Sequence, residues 1–362
     1  MKTRLATLPE DYERLGLRQD TVEVWEDGRR NDSHPGAFEW WYLDVIFEDG
    51  AKAAFTYATK SSEKFNLDVD SPYVKVAMTL ADGTEIVDRQ NIDPAVCTWG
   101  TEKCDVHMGP HSFVGDLKTY DIHYEAAAPN NIGFDLKVTN TGSPWRPGTG
   151  YFLLGDNEEK FFTWLCVCPK AVFEGTMTLN GEVRKVSGSA YHDHQWGTQH
   201  MLFTWNHWVW ARQTVGEYSI LVFDYTGNML YGFDRYHLAF IQDAEGRTIF
   251  ENFGDAKVEV LESYVDPKVN KTVPGSFRFT YDNGGKKVVY TIRETAQLEV
   301  RDEYHILPKP MQEQFDKMLL QPSYSRLSGI GTLEITENGT TVTQTGDDLI
   351  YELAYLSREW MQ

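Results

Sequence analysis

Four cysteines in 362 residues are too few for a disulfide framework, which small secreted domains need and a chain this long does not. Basic residues are also scarce, 34 against 54 acidic ones for a net charge of -20. No lysine or arginine cluster interrupts that background, which argues against nucleic acid and anionic membrane as partners. No run approaches the ~20 apolar residues of a transmembrane helix. The opening MKTRLATLPEDYERLG carries charge without the apolar stretch of a secretory signal, so the expected location is cytoplasmic. Nucleotide motifs are missing too: there is no GxGxxG after a strand and no GxxxxGK[ST], and DNGGKK at 282–287 reads as a hairpin turn. HExxH and paired CxxC motifs are absent, so neither a metal nor an organic cofactor is expected. Cys166 and Cys168, in TWLCVCP, are expected on one face of a buried strand as reduced thiols. Helix signal is thin. Only 309–320 qualifies, where Met311, Phe315 and Leu319 follow a proline at i, i+4 and i+8.

What the chain does have is strands. β-branched and aromatic residues alternate with polar ones between Asp49-Gly50, Asp82-Gly83, Asn180-Gly181, Asn283-Gly284 and Asn338-Gly339, dipeptides that favour hairpin turns. The expected class is all-β and antiparallel. A polar arm over 1–35 precedes two barrel- or sandwich-like halves, 36–195 and 196–362. A weak internal echo fits such a duplication: FEWWYLDVIFEDGAKAAFTYAT and WNHWVWARQTVGEYSILVFDYT align without gaps, Trp41 meeting Trp208.

Chemistry concentrates in SGSAYHDHQWGTQHMLFTWNHWVWARQ, residues 187–213, which holds four of the ten histidines and four of the eleven tryptophans. Side chains two apart on a strand share a face. Tyr191, Asp193 and Gln195 therefore fall on one side, with His192, His194 and Trp196 on the other. A carboxyl or imidazole held among aromatics has its pKa displaced by desolvation, which suits a general acid or base. The plainer alternative is that Asp193 caps a turn and the histidines satisfy buried carbonyls. A metal site is the third option, with His192 and His194 on one face and His200 and His207 following, but no carboxylate ligand completes it.

Glu39 and Trp41 share a face of an early strand, as do Trp208, Trp210 and Arg212 of a later one. Several indoles beside a carboxylate and a guanidinium suggest a lined cavity for a flat or elongated unsaturated molecule, although ordinary core packing explains any one of them.

The pair FEWWYLD at 38–44 and YHDHQWG at 191–197 resembles the signature of the lipocalin-like carotenoid 1,2-hydratase superfamily, also called hydroxyneurosporene synthase or AttH-like. The resemblance implies two tandem lipocalin-like antiparallel β-barrels with little helix, and cofactor-free chemistry on hydrophobic unsaturated compounds. Its acidic-histidine signature falls on Tyr191, Asp193, His194, Trp196 and Gly197, its aromatic motif on Glu39, Trp40, Trp41 and Tyr42. One departure is Gly188-Ser189-Ala190 before Tyr191, where the family often has a second glycine.

The leading expectation is a hydratase or dehydratase acting on a carbon–carbon double bond of an isoprenoid, prenylated or polyphenolic substrate. Asp193, His194 and Tyr191 would move protons, and Glu39, Trp41, His192, Trp196, Trp208, Trp210 and Arg212 would hold the substrate. An isomerase or cyclase using the same cavity is the alternative, and a non-catalytic carrier the third reading.

Overall fold

The computed structural model describes residues 2–357. Two units follow one another along the chain, Thr3–His200 and a second beginning at Met201. Each is built on one antiparallel sheet, with 13 strands in the first and nine in the second. The architecture is all-β, of the tandem lipocalin-like kind, with little helix.

In the first unit Phe38–Phe47 pairs on one side with Lys52–Ala58 and on the other with the last long strand, Glu182–Gly197. From there the sheet runs through Lys160–Leu179, Ile132–Asn140 and Thr119–Ala127 to three short strands ending at Cys97–Trp99. The two ends of this path are not hydrogen-bonded to each other. The sheet curls instead around an aromatic core, in which the Tyr57 hydroxyl donates to the His123 carbonyl at 2.7 Å and Phe55 meets Phe134 edge-on. The second unit repeats the plan, since its first strand, Trp205–Val215, pairs with both Tyr218–Gly227 and the final strand, Thr340–Ser357.

All five expected dipeptides sit between paired strands. Asn180-Gly181 and Asn338-Gly339 have positive φ at both residues, the mirror-image turn whose twist matches its flanking strands. Ahead of Phe38 the chain is more ordered than a polar arm. Thr3–Leu5 pairs with Tyr151–Leu154, Pro9–Leu15 is a helix, and Val24–Asp27 forms a single 3-10 turn.

Three local expectations need correction. The later helix spans Lys309–Lys317 only; Met311 is exposed, Leu319 lies beyond it at positive φ, and the buried residue is Gln312, whose amide donates to the His305 and Leu307 carbonyls. Cys166 and Cys168 do not share a face, because Cys166 lies opposite Asp193 and Cys168 opposite His192. The bulge between them uses an extra residue and so turns one side chain over. The internal echo holds in topology but slips in register: Trp41 points into the core of its unit, whereas in the second unit Val209 and Ala211 do so and Trp208 faces away.

Candidate active site

The strand Glu182–Gly197 carries chemistry on both faces. Its even residues near the end, His192, His194 and Trp196, lie opposite Leu43, Trp41 and Glu39 and turn into the core of the first unit. Its odd residues, Tyr191, Asp193 and Gln195, lie opposite Asp44, Tyr42 and Trp40 on the other face.

On that second face Asp193 is 1 % exposed, and its carboxyl is gripped on one oxygen. The Tyr191 hydroxyl donates to Oδ2 at 2.8 Å and the Trp164 indole N–H at 3.0 Å. The Gln195 amide lies a long 3.4 Å from both Oδ1 and Oδ2. Burial pushes the Asp193 carboxyl up to about 6, while the hydrogen bonds from Tyr191 and Trp164 restrain the rise. Oδ2 thus accepts the two close hydrogen bonds, and Oδ1 has only the long Gln195 contact. The Trp164 ring is set edge-on to Trp145 at 5.7 Å, and the buried Asp44 lies diagonally across, 3.5 Å from the Tyr42 hydroxyl.

The core face is a buried ionic network. His194 lies between two carboxylates, with Nε2 2.9 Å from Glu39 Oε1 and Nδ1 3.4 Å from Asp27 Oδ1. The second is an ion-pair contact whose angles fall short of a directed hydrogen bond. Burial favours the neutral ring, yet the Asp27 and Glu39 contacts outweigh it and raise the His194 pKa above its ordinary value. Trp41 stacks on the ring at 4.6 Å and Trp196 lies against it at 4.6 Å, placing aromatic faces where they stabilise a cation. His192 directs Nδ1 at the Tyr42 carbonyl, 2.8 Å away, and Nε2 at Asp27 Oδ2, 3.3 Å away. Tyr120 donates to the same Oδ2 at 2.6 Å, and the Trp41 indole donates to the Asp27 carbonyl at 2.9 Å. Burial would lift the Asp27 pKa, but the charge and hydrogen bonds of His192, with the contact from His194, hold it well below the usual carboxylate range. Glu39 is equally committed, accepting the backbone N–H groups of Arg30 and Asn31 at 2.7 and 3.0 Å.

The structure thus brings Tyr191 to Asp193 and separates both from His194. A direct proton exchange between Asp193 and His194 is ruled out by the strand itself, since neighbouring side chains point to opposite faces. Glu39, Trp41, His192 and Trp196 gather around His194 in the core. Trp208, Trp210 and Arg212 lie together on one face of the second unit, with Trp210 and Arg212 buried and Trp208 half-buried. His207, also in that unit, is pushed down to about 4 by burial and contacts Thr226 Oγ1 at 3.2 Å. Trp164, Asp27 and Tyr120 escape sequence reasoning. Asp27 sits in VWEDGRRN, where nothing marks either of its two acids as buried.

Residues 29–305 match the model of a family described as AttH-like. The chain belongs to the AttH-like family. Among curated proteins, this AttH-like chain is 22 % identical over 211 residues to the quinolone epoxide rearrangement protein AsqO of Emericella nidulans, covering 52 % of this chain and 54 % of that one. It is 25 % identical over 226 residues to PenF of Penicillium thymicola, of the same description, covering 57 % of this chain and 60 % of that one. The matches thus span little more than half of either relative's length. Solved structures extend the likeness to the whole fold. A putative AttH from Nitrosomonas europaea superposes with a TM-score of 0.64 at 17 % identity, over 94 % of this chain and 99 % of that one. CghA gives 0.62 at 15 % identity, over 94 % and 97 %. Kievitone hydratase from Nectria haematococca gives 0.52 at 16 % identity, over 93 % and 96 %.

Proposed function

We propose that this protein is an enzyme in which Asp193 is a buried Brønsted acid, adding or removing water at a carbon–carbon double bond of a hydrophobic small molecule. The observation that carries the reading is the Asp193 carboxyl itself: lifted to about 6 by burial, with Tyr191 and Trp164 both donating to Oδ2 and only the long Gln195 contact reaching Oδ1. Such a group is about one-tenth protonated at neutral pH, against roughly a thousandth for an ordinary carboxyl. It offers that proton from Oδ1.

In the hydration direction the Oδ1 proton moves to one alkene carbon, and the π electrons form the new C–H bond. Water adds to the carbocation left on the other carbon, and its surplus proton returns to the Asp193 carboxylate. The acid is regenerated and one water is consumed. Tyr191 and Trp164 stabilise the carboxylate while it lacks its proton, a preorganised arrangement that needs no reorientation during the step.

The epoxide rearrangement relatives favour a second reading, in which the same proton goes to an epoxide oxygen and the skeleton rearranges without net water. Turnover of a panel of prenylated alkenes and epoxides in oxygen-18 water separates the two. Label in a product one water heavier than its substrate supports hydration; an isomeric, unlabelled product supports rearrangement. Full kcat in Asp193→Asn would remove both.

A further inference from the structure

We propose that Asp27 is a positioning residue: by bridging His192 and His194 it pins the strand on both sides of Asp193 and holds the acid against Trp164 and Tyr191. The inference rests on the reading of Asp193 as the acid. It assigns a role to a residue of the chain's opening segment, 165 positions from His192, that touches no reacting atom.

The argument begins with alternation. Asp193 has a histidine on either side in sequence, and both rings point into the core while the carboxyl points out. Each ring meets the same carboxylate, His192 through Oδ2 at 3.3 Å and His194 through Oδ1 at 3.4 Å. Two tethers to one anion, one on each side, restrict the peptide that carries Asp193. His192 adds a third restraint by meeting the carbonyl of Tyr42, the residue directly opposite Asp193 on the neighbouring strand.

Asp27 is itself held firmly. Tyr120 bonds its carboxylate and the Trp41 indole its carbonyl. On one side of it, Glu26 forms a buried ion pair with Arg146 at 2.8 Å. On the other, the Asn31 side chain bonds the Phe38 carbonyl, and Arg29 reaches Asp70 at 3.1 Å. The segment VWEDGRRN is therefore a strap with an anion fixed at its centre. The groups facing Asp27 are His192, His194, Tyr120 and the thiols of Cys104 and Cys168; those facing His194 are Asp27 and Glu39. Both ring nitrogens of His194 face carboxylates in this arrangement, which favours the protonated ring.

The test reads position without needing a substrate. In ¹⁵N-labelled protein we expect the His194 ring to keep both N–H protons to higher pH than an ordinary histidine, whose pKa is roughly 6.5. The Trp164 indole N–H should shift when His194 is finally titrated. Asp27→Asn should lose that retention and move the Trp164 signal, whereas Asp27→Glu should restore both in part. With a substrate in hand, Asp27→Asn should lower kcat by up to ~10²-fold with little change in KM, the cost of a small misplacement of a reacting group. A wild-type His194 that deprotonates in the ordinary histidine range, or a Trp164 signal indifferent to its titration, overturns the proposal even if Asp27→Asn fails to fold. Should Asp193→Asn keep full turnover while these signals behave as expected, the acid reading falls and the strap remains.

Discussion

Asp193 and His194 are neighbours in sequence, yet their side chains lie on opposite faces of one strand, the first bonded to Trp164 and the second to Glu39. The motif that looks like a proton-transfer pair is a carboxyl lifted by burial on one face and a histidine held between two carboxylates on the other. The two residues should consequently respond differently to substitution.

Replacing Asp193 by asparagine keeps the shape and the acceptor for Tyr191 and Trp164 but removes the transferable proton. Expected is a loss of ~10²–10⁴ in kcat, the usual scale of a general acid, with the cooperative melt retained. Steady-state kinetics beside thermal melting checks this.

The pH dependence follows from the same group. In the proposed reaction the protonated form is the active one, so kcat should be highest below about pH 6 and fall about tenfold per unit above it. Stability should move with it. The folded-state pKa lies above the unfolded value of roughly 3.9, so the stabilising contribution is complete below that value and is lost as pH rises through about 6. Denaturant titrations from acid to neutral pH should show a decline that is shallower in Asp193→Asn; identical slopes in the two proteins would refute the shift.

Tyr191→Phe removes one hydrogen bond that favours the carboxylate. A bond to a charged group contributes ~1.5–3 kcal/mol, equivalent to about one to two pH units. The alkaline limb of the rate profile should therefore shift upward by about that much, which a pH–rate series on the variant measures directly.

Trp41 and Trp208 should part company. Trp41 is wholly buried, stacks on His194 and bonds the Asp27 carbonyl, so Trp41→Ala should cost ~3–5 kcal/mol of stability. Trp208 is half-buried on the face of its sheet away from the core, so Trp208→Ala should leave the melt nearly unchanged and act on ligand affinity. Melting and binding titrations on the two variants separate these outcomes.

Much of this protein was legible in one dimension because its information is local. A strand alternates with period two and a tight turn demands positive φ, so Asn180-Gly181 and its four counterparts announced the hairpins. The same alternation sorted Tyr191 and Asp193 from His192 and His194 before any fold was known. What stayed hidden needed distances the sequence does not carry. Counted straight back from Asn180-Gly181, Trp164 faces Gly197; bulges near Val167 and Lys170 move it opposite Gln195, within reach of Asp193, and also send Cys166 and Cys168 to different faces. Nothing in composition or periodicity marks where a strand will take up an extra residue. Asp27 is the sharper case. One acid among 54 acidic residues, it comes to bridge two histidines only when the chain's opening segment folds across the sheet. By itself, then, the sequence determined the strands, their turns and the two faces of the 191–196 segment, since backbone geometry repeats every few residues. Only the tertiary structure decided which carboxyl burial lifts and which its partners hold low, because burial at Asp193 and histidines 165 or more residues from Asp27 set the environment of each.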